Sequence, residues 1–359
     1  MNKFLLICPI GFENSVLREL KLKGLTSSIA KQTLIKGGIE IECDLAFGLA
    51  LNKELKCVSR ILLRLKEQKC RDFPKLFQII SKFNFHPYLV QESAQFQIST
   101  QKSRIINTKK AAQTCEDALR KYFKGQNLKT DIKERYLHAP KQTIYIRIIN
   151  DELTLSIDTT GVSSHIRGTK DVQGHAPIRE TYASSLLMAI YDESMNSKTL
   201  VDPMCGSGTF LLEANSFYQA QDREFIYERF PLMHKLNNIE EPVDHKQKLF
   251  TNFLGLDRDE SLLKERQDID FQKADFFTDA IKLPENAIIM TNPPYGKRIK
   301  ISEDRKDYFE KYINRLREIN PKGQSYFIAP SEIPIKNKAL FEFNNNGIRV
   351  KLYKISPQV

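Results

Sequence analysis

The two halves of the chain differ in how apolar and polar positions alternate. In the N-terminal half, short apolar runs are separated by amphipathic stretches, a pattern that predicts strands and helices of an α+β type. The last two of these strands are joined by Asn150-Asp151, which is typical of a two-residue hairpin turn. The predicted strands are KFLLICPI, GGIEIEC, AQFQIST, TIYIRIIN and ELTLSID, and the predicted helices cover 13–23, 44–51, 73–83 and 108–123.

From about Pro177, single strands alternate with single helices, which is typical of a parallel sheet with crossover helices. SYFIAPS and IRVKLYKIS, separated by 344–347, are predicted to form a terminal hairpin. The other predicted elements are helix 178–194, strand TLVDP, helix FLLEANSFYQA, strand FLGLD, helix DESLLKERQ and strands DFQKAD and AIIMTN. We therefore divide the chain into an α+β unit over 1–58, a second α+β unit over 59–160, and an α/β domain over 161–359 that begins with a linker helix.

Positive charge is concentrated in the second unit. The 359-residue chain carries a formal net charge of +11, and residues 60–150 alone contain 19 Lys or Arg against 7 Asp or Glu, a net +12. A segment this long and one-sided favours nucleic acid as a partner over a solvated surface that happens to be basic. The candidate nucleic-acid contacts on helix 108–123 are Lys109, Lys110, Arg120 and Lys121.

Composition excludes several classes of protein. Apolar residues make up 41% of the chain, yet no apolar run is long enough to span a membrane. The start, MNKFLLICPIGFE, contains acidic Glu13 and no small-residue cleavage site, so we interpret it as a strand. The cysteines never form a C-x-x-C pair, which predicts neither a metal site nor a disulfide framework and favours a reducing cytoplasm. They are Cys8, Cys43, Cys57, Cys70, Cys115 and Cys205. No segment predicts an obligate protein partner.

A candidate nucleotide-type site lies in VDPMCGSGTFLLEA. A predicted strand ends at Asp202, and Gly206 and Gly208 let the backbone turn close to a ligand before a helix begins at Thr209. The lysine of a Walker phosphate loop is missing, and Leu211 stands where a G-x-G-x-x-G motif has its third glycine. A tight turn without a ligand is the alternative for this stretch alone.

Three further strand ends carry polar residues. Asp257 ends FLGLD, where it could accept hydrogen bonds from ribose hydroxyls, while Asp259 is the better helix-cap candidate and leaves Asp257 free. Asp275 follows DFQKA, and Asn292 follows AIIMT. Because ligands bind beyond the carboxyl ends of strands in an open α/β sheet, we expect these side chains and Asp202 to converge on one site.

The segment IIMTNPPYGKRI leaves its strand through a rigid loop. Two consecutive prolines fix the backbone and remove two donors, so 292–295 can neither pair in a sheet nor start a regular helical turn. Taken alone, this loop leaves guanine, adenine or a glutamine side-chain amide as candidate targets, and a structural turn remains an alternative.

These residues resemble a known family. Segment 161–359 resembles the class I S-adenosylmethionine-dependent methyltransferases, and DPMCGSGTFLLEA with NPPYGKR resembles the RNA guanine-N2 methyltransferases that carry an N-terminal THUMP domain. The similarity extends to GVSSHIRGTKDVQGHAPIRETYA and REFIYERFP. The resemblance implies a Rossmann-like methyltransferase domain preceded by a ferredoxin-like unit over 1–58 and a THUMP RNA-binding domain over 59–160. It further implies the bacterial 23S rRNA form with a single methyltransferase domain.

The resemblance also implies S-adenosylmethionine as cofactor. Asp202 and the two glycines would hold its methionyl part and approach the adenosine, Asp257 would bind the ribose, and Asp275 the adenine amino group with Phe276 beside the ring. Each assignment matches the donors and acceptors of the cofactor. The full set of implied cofactor contacts is Asp202, Pro203, Cys205, Gly206, Gly208, Thr209, Asp257, Asp275, Phe276 and Asn292.

The NPPY loop would then bind the target base. Hydrogen bonds accepted by Asn292 Oδ1 and the Pro293 carbonyl would favour the attacking geometry of an exocyclic amine, and Tyr295 would stack on a base that has left its RNA stack. Lys297 and Arg298 would contact neighbouring phosphates, with a solvated turn as the alternative.

Some features depart from the family pattern or leave alternatives open. The helix between Asp257 and Asp275 is short for the family, which weakens the assignment of Asp275. The substrate alternatives are guanine in tRNA and the N6 amine of adenine in DNA or RNA, and a non-enzymatic RNA-binding or assembly factor is a third hypothesis. Four side chains either line the site or form structural pairs: His165, Arg167, Arg179 and Glu180.

Overall fold

The strands of the described residues form two seven-stranded sheets, one in each half of the chain. The computed structural model describes residues 1–89, 94–124, 142–167, 178–192, 199–236, 248–295, 304–345 and 347–357. The N-terminal sheet contains β1 (Asn2–Ile7), β2 (Ile29–Ile35), β3 (Gly38–Cys43), β4 (Arg60–Lys69), β5 (Ala94–Gln101), β6 (Gln142–Ile149) and β7 (Glu152–Asp158). Its helices are α1 (Glu13–Leu22), α2 (Leu45–Glu54), α3 (Phe73–Ser81) and α4 (Thr108–Phe123).

The N-terminal sheet joins both predicted α+β units. Its strand order is β2-β3-β1-β4-β7-β6-β5, and only the pairing of β5 with β6 is parallel. Strand β4 follows the predicted boundary at residue 58 and pairs with β1 on one side and β7 on the other. The strands of the two predicted units therefore form one continuous surface.

The predicted hairpin between β6 and β7 is confirmed. Asn150 and Asp151 both have positive φ angles, 52° and 63°, as a two-residue turn between twisted strands requires. Strands β2 and β4, by contrast, were not predicted from the sequence.

Several helices begin after an aspartate or asparagine whose side chain accepts a hydrogen bond from the first turn. These caps satisfy backbone donors that have no partner inside the helix and fix where the helix begins. The capping residues are Asp44 for α2, Asp72 for α3, Asn107 for α4 and Asp304 for the last helix of the chain.

The C-terminal sheet has the strand order β10-β9-β8-β11-β12-β14-β13. The five strands from β10 to β12 are parallel, and β14 runs antiparallel between β12 and β13. The strands are β8 (Thr199–Asp202), β9 (Asn252–Asp257), β10 (Asp270–Lys273), β11 (Ile288–Thr291), β12 (Gln324–Pro330), β13 (Ala339–Asn345) and β14 (Ile348–Ile355). The helices are α5 (Glu180–Ile190), α6 (Thr209–Asn215) and α7 (Arg305–Ile319).

Two predictions for this sheet were wrong. Strand β13, which was not predicted, pairs with β14 up to Asn345 opposite Ile348, while SYFIAPS forms β12 on the other side of β14. The predicted helix over 259–267 is a single 3₁₀ turn at Glu260–Leu262, followed by an isolated bridge between Arg266 and Ile269. Asp259 caps that short turn, so the cap was identified correctly although no regular helix follows it.

The two halves of the chain share one core. Helix α1 packs against α5, where Ser15 Oγ donates to the Ser185 carbonyl at 2.8 Å and Arg18 Nη1 donates to the Met188 carbonyl at 2.8 Å. One contiguous cluster contains buried apolar side chains from both sheets, and a second cluster lies between the C-terminal sheet and α7. The N-terminal half is therefore fixed against the domain that carries the predicted site.

Candidate active site

The glycine-rich turn follows β8 as predicted, and its two glycines meet different constraints. Gly206 and Gly208 have φ angles of +54° and +77°, which side-chain-bearing residues rarely adopt. A Cβ on Gly208 would lie 2.6 Å from Cζ of Phe271, so packing on β10 requires glycine there. Among the described residues, and apart from its two chain neighbours, no heavy atom lies within 4 Å of a Cβ on Gly206, so the turn is open on that side. Gly206 therefore leaves room for a ligand close to the backbone.

Asp202 ends β8 and is buried, with 3% of its surface exposed. Burial raises the pKa of this carboxyl to about 7, although the hydrogen bond from the Met204 amide and the neighbouring Thr291 hydroxyl oppose the increase. The nearby Asp257 raises the pKa further. A group with positive charge above this turn would stabilise the ionised form of Asp202.

Asp257, which was expected to be left free for a ligand, lies beside the turn and already accepts two backbone hydrogen bonds. Its Oδ2 accepts from the Gly206 amide at 2.8 Å, and its Oδ1 accepts from the Asp259 amide at 2.9 Å. The Gly206 contact links the ends of β8 and β9. Each carboxylate oxygen can accept a second hydrogen bond, so ribose hydroxyls can still be accepted here.

Asp275 follows β10 and is half-buried, with Oδ1 accepting from the Phe277 amide at 2.8 Å. The prediction for Phe276 needs correction, because its ring lies in the core with 3% of its surface exposed. Its ring centroid is 4.9 Å from that of Tyr312 and 5.1 Å from that of Phe277. Core packing therefore accounts for Phe276, whereas a contact with adenine does not.

The NPPY loop leaves β11 beside β8. Pro293 is buried, Asn292 and Tyr295 are half-buried, and the Tyr295 hydroxyl donates a hydrogen bond to Asn292 Oδ1. The acceptor proposed for the base is therefore engaged by the ring proposed to stack on it. Lys297 and Arg298 lie outside the described residues.

The predicted strand-end residues converge as expected. Asp275, Asp257, Asp202 and Asn292 follow β10, β9, β8 and β11, which are consecutive in the sheet and parallel. Between β8 and β11 the strand order reverses direction along the chain, which is where open α/β sheets bind ligands. Three carboxylates and an amide beside an open glycine turn fit the ribose hydroxyls, adenine amine and cationic groups of S-adenosylmethionine.

The remaining predicted cofactor contacts in the glycine turn are buried. Cys205 and Thr209 are buried, and the Cys205 amide donates to the Leu256 carbonyl at 2.9 Å, a second link between the ends of β8 and β9. Pro203 is buried between Asp202 and Met204. Their backbone, more than their side chains, is available to shape the site.

The segment before the first strand of the domain has a structural role that sequence analysis left undecided. Arg167 and Glu213 form a buried ion pair with Nε and Oε1 2.8 Å apart, and Ser184 Oγ donates to the other Glu213 oxygen at 2.5 Å. Burial would raise the pKa of Glu213, but the charges of Arg167 and Lys56 outweigh it and leave the pKa below its usual value. Because Glu213 lies on α6, these contacts fix the helix that follows the glycine turn.

The other residues of this segment lie near one another. Burial and the Arg179 charge lower the pKa of His165, while Glu180 raises it, and His165 Nδ1 is 2.9 Å from Ser163 Oγ. Residues 168–177 lie outside the described part of the chain. The structure does not bring His165 into hydrogen-bond contact with the strand-end residues.

The predicted cations of α4 are exposed, and most have partners. Lys110 Nζ lies 4.8 Å from the ring centroid of Phe73 and Lys121 Nζ 5.5 Å from that of Phe77. Arg120 Nη1 lies 2.9 Å from Asp117 Oδ1, which partly neutralises it. Lys109 is exposed in the first turn of the helix. These pairs are surface contacts and leave the charges accessible to an anionic ligand.

Two absences concern the described ranges only. Across them, no three His, Cys, Asp or Glu side chains are grouped so as to hold a metal ion. No helix in the same part of the chain has the length and apolar character needed to cross a membrane.

The parallel sheet with its antiparallel strand β14, and the acidic strand ends around a glycine turn, define a class I methyltransferase domain, whose cofactor is S-adenosylmethionine. Residues 167–342, just under half of the chain, match a family model described as RMKL-like, methyltransferase domain. The predicted Rossmann-like methyltransferase fold and the predicted methyltransferase resemblance are therefore confirmed.

Two curated relatives and one solved structure extend the comparison. A ribosomal RNA large subunit methyltransferase K/L of Colwellia psychrerythraea is 26% identical over 322 residues, which cover 83% of this chain and 44% of the relative. The chain thus spans less than half the length of that protein. A Synechocystis protein provisionally named RNA methyltransferase slr0064 is 26% identical over 355 residues, covering 88% of each chain.

The solved structure is that of SMU.472, described as a methyltransferase candidate complexed with SAH. It covers 100% of this chain and 98% of its own, with a TM-score of 0.75 and 20% sequence identity. At that identity the comparison supports the fold of both halves and nothing more specific.

Proposed function

We propose that the protein transfers a methyl group from S-adenosylmethionine to the exocyclic N2 amine of a guanine in RNA, with 23S rRNA as the substrate. The observation that carries this proposal is the convergence of Asp202, Asp257 and Asp275 with the NPPY loop at four neighbouring strand ends. The name of the Colwellia psychrerythraea relative supports ribosomal RNA as the substrate.

The three acidic residues bind different parts of the cofactor. Asp257 accepts from the ribose hydroxyls, Asp275 from the adenine amine, and Asp202 with the turn at 206–208 holds the methionyl end. The cofactor supplies a methyl group on a sulfonium, which needs no metal for its transfer. The protein contributes by orienting the acceptor and the donor in line.

The NPPY loop prepares the amine. Its lone pair is delocalised into the guanine ring, and hydrogen bonds accepted by Asn292 Oδ1 and the Pro293 carbonyl favour a pyramidal nitrogen with its lone pair available. An amide is not a base at neutral pH, so the proton released after methylation passes to water. The Tyr295 hydroxyl first releases Asn292 Oδ1, and the Tyr295 ring then stacks on the base. Breaking this hydrogen bond is therefore a step in base entry.

The N-terminal half binds the RNA substrate. We assign residues 59–160 as the THUMP RNA-binding domain and 1–58 as the ferredoxin-like unit, with Lys109, Lys110, Arg120 and Lys121 as phosphate contacts. The net +12 of residues 60–150 supports this assignment. Lys297 and Arg298 are assigned to phosphates beside the flipped base on sequence grounds.

Methyl transfer from labelled cofactor tests the proposal. The purified protein is incubated with cofactor labelled in the methyl group and, separately, with 23S rRNA, tRNA and DNA, and the products are digested to nucleosides. We expect label in N2-methylguanosine from 23S rRNA. Label only in tRNA guanosine, or in N6-methyladenosine from RNA or DNA, would replace the proposed substrate. Cofactor binding by calorimetry without transfer to any of these would favour a non-enzymatic RNA-binding factor.

A further inference from the structure

Helix α7, which was not predicted from the sequence, contacts the loop that follows β10 through two cationic side chains. We call residues 275–279 the adenine loop, because Asp275 is assigned to the adenine amine. Arg315 Nε donates to the Phe276 carbonyl at 2.9 Å, and Arg315 Nη2 donates to the Asp279 carbonyl. One turn earlier on the helix, Lys311 Nζ lies 4.8 Å from the ring centroid of Phe277. Two cations on one helix face therefore hold both the backbone and a side chain of the loop.

The adenine loop is also fixed by its own hydrogen bonds. The Asp275 amide donates to Asp279 Oδ2 at 2.8 Å, and the Asp279 amide donates back to the Asp275 carbonyl at 3.1 Å. The Phe277 amide donates to Asp275 Oδ1 at 2.8 Å. These bonds orient the Asp275 carboxylate relative to the loop, but they do not fix the loop relative to the sheet.

We propose that Arg315 is a positioning residue for recognition of the cofactor's adenine. Its guanidinium fixes the adenine loop so that the Asp275 carboxylate faces the 6-amino group, and the inference rests on the proposed function for that assignment. The side chain is 14% exposed, and Glu318 Oε1 lies 2.6 Å from Nη1, on the side away from the two carbonyls. A planar guanidinium can donate to both carbonyls at once, whereas a lysine ammonium cannot match that geometry.

Discrimination between two ligands measures this role. S-adenosylhomocysteine carries the 6-amino group, and S-inosylhomocysteine carries a carbonyl oxygen there that would face the Asp275 carboxylate. We expect the intact protein to prefer S-adenosylhomocysteine by about ten- to a hundredfold in calorimetry, the range for a hydrogen bond to a charged group. In Arg315→Ala the preference should fall to about threefold or less.

The variants are chosen to separate positioning from folding. Arg315→Lys should show an intermediate preference. The control is Arg317→Ala on the same helix, which should keep the preference of the intact protein, because the Arg317 guanidinium contacts the Asn314 amide. In methyl transfer, Arg315→Ala should raise KM for S-adenosylmethionine and leave kcat within about twofold. Circular dichroism confirms folding, and Arg315→Gln replaces Arg315→Ala if the latter is unfolded.

The two proposals fail in different ways. If folded Arg315→Ala or Arg315→Gln keeps the full preference for S-adenosylhomocysteine, Arg315 does not position Asp275 and the inference is overturned. If the intact protein binds both ligands equally, or neither, the assignment of Asp275 in the proposed function fails first. A tenfold loss of affinity for both ligands with the preference retained would show a general structural role, which also overturns the inference.

Discussion

Lys56 is buried where the two halves of the chain meet, and its replacement by methionine should change how stability depends on pH. Its exposed fraction is 3%, and its ammonium donates to Ser216 Oγ at 2.7 Å and to the Ser216 carbonyl. Four other buried ionisable side chains surround it: Lys23, Glu19, Glu213 and Arg167. With Lys56 protonated, this cluster contains three cations and two anions; with Lys56 neutral, its charges balance.

The magnitude follows from the pKa of Lys56. Burial lowers this pKa to about 7, with the Arg167 and Lys23 charges adding to the effect and Glu213 and Glu19 opposing it. A lysine in the unfolded chain has a pKa of about 10.4, and each pKa unit corresponds to about 1.4 kcal/mol. Between these two values the unfolded chain holds a proton that the folded chain has lost, so the free energy of unfolding rises with pH, by ~5 kcal/mol over the whole interval.

Urea unfolding at pH 6 to 10 measures the effect. The free energy of unfolding of the intact protein minus that of Lys56→Met should rise by several kcal/mol across this range, and Lys56→Met should be the more stable protein at pH 6. The difference cancels titrations that both proteins share, including those of the buried cysteines. Lys53→Met, in the last turn of α2 three residues before Lys56, is the control, because the Lys53 side chain is 35% exposed beside Glu228 and should give a nearly flat difference.

A difference that stays flat across pH 6 to 10 would refute this reasoning. It would mean that Lys56 keeps its proton in the folded protein, and that the cluster stabilises a net positive charge at the junction of the two halves.

Three further predictions concern the site and the RNA surface. Asn292→Ala should lower kcat by about a hundredfold or more and leave the calorimetric Kd for S-adenosylhomocysteine nearly unchanged, since the amide acts on the base; a large loss of cofactor binding would contradict its role. Gly206→Ala should fold with a stability loss of about 1 to 2 kcal/mol and lose cofactor affinity, whereas Gly208→Ala should be much less stable by thermal unfolding because of its clash with Phe271; equal stability of the two variants would contradict the packing argument. Neutralising the four α4 cations together should weaken RNA binding and flatten its dependence on salt, and an unchanged slope would move the RNA surface elsewhere; these are Lys109, Lys110, Arg120 and Lys121.

The sequence predicted best those elements whose pattern is local. The glycine turn after Asp202, the cap at Asp259 and the turn at 150–151 depend on a few adjacent residues, and each was found where it was predicted. The strand-end convergence was also predictable, because parallel strands place their carboxyl ends at one edge whatever their order.

What was missed depends on contacts between distant parts of the chain. Helix α7 is rich in charged residues, and its buried side includes aromatic residues such as Tyr308 and Tyr312. The apolar periodicity that predicts a helix was therefore not recognised among its many polar positions. Its signal was Asp304, which caps the first turn. Helix 259–267 was predicted from a local cap, but a bridge at Arg266 competes with the helix. Strand β13 is exposed along most of its length and is defined by its pairing with β14.

The roles of the charged residues could not be separated from sequence. Arg167 and Glu213 lie 46 positions apart and form a buried ion pair. Asp257, which like Glu213 lies near the glycine turn after β8, is half-exposed beside the ligand site. Nothing in their local sequence distinguishes a buried structural ion from an acid that binds a ligand. The distinction depends on which neighbours exclude water, and those neighbours come from both halves of the chain.

Nucleoside mass spectrometry of 23S rRNA from a deletion strain of the source organism tests the central claim most directly. We predict that N2-methylguanosine is lost at one position and restored by the intact protein, while Asn292→Ala, expressed at the same level, does not restore it. An unchanged content of N2-methylguanosine in the deletion strain, or restoration by Asn292→Ala, would contradict the account.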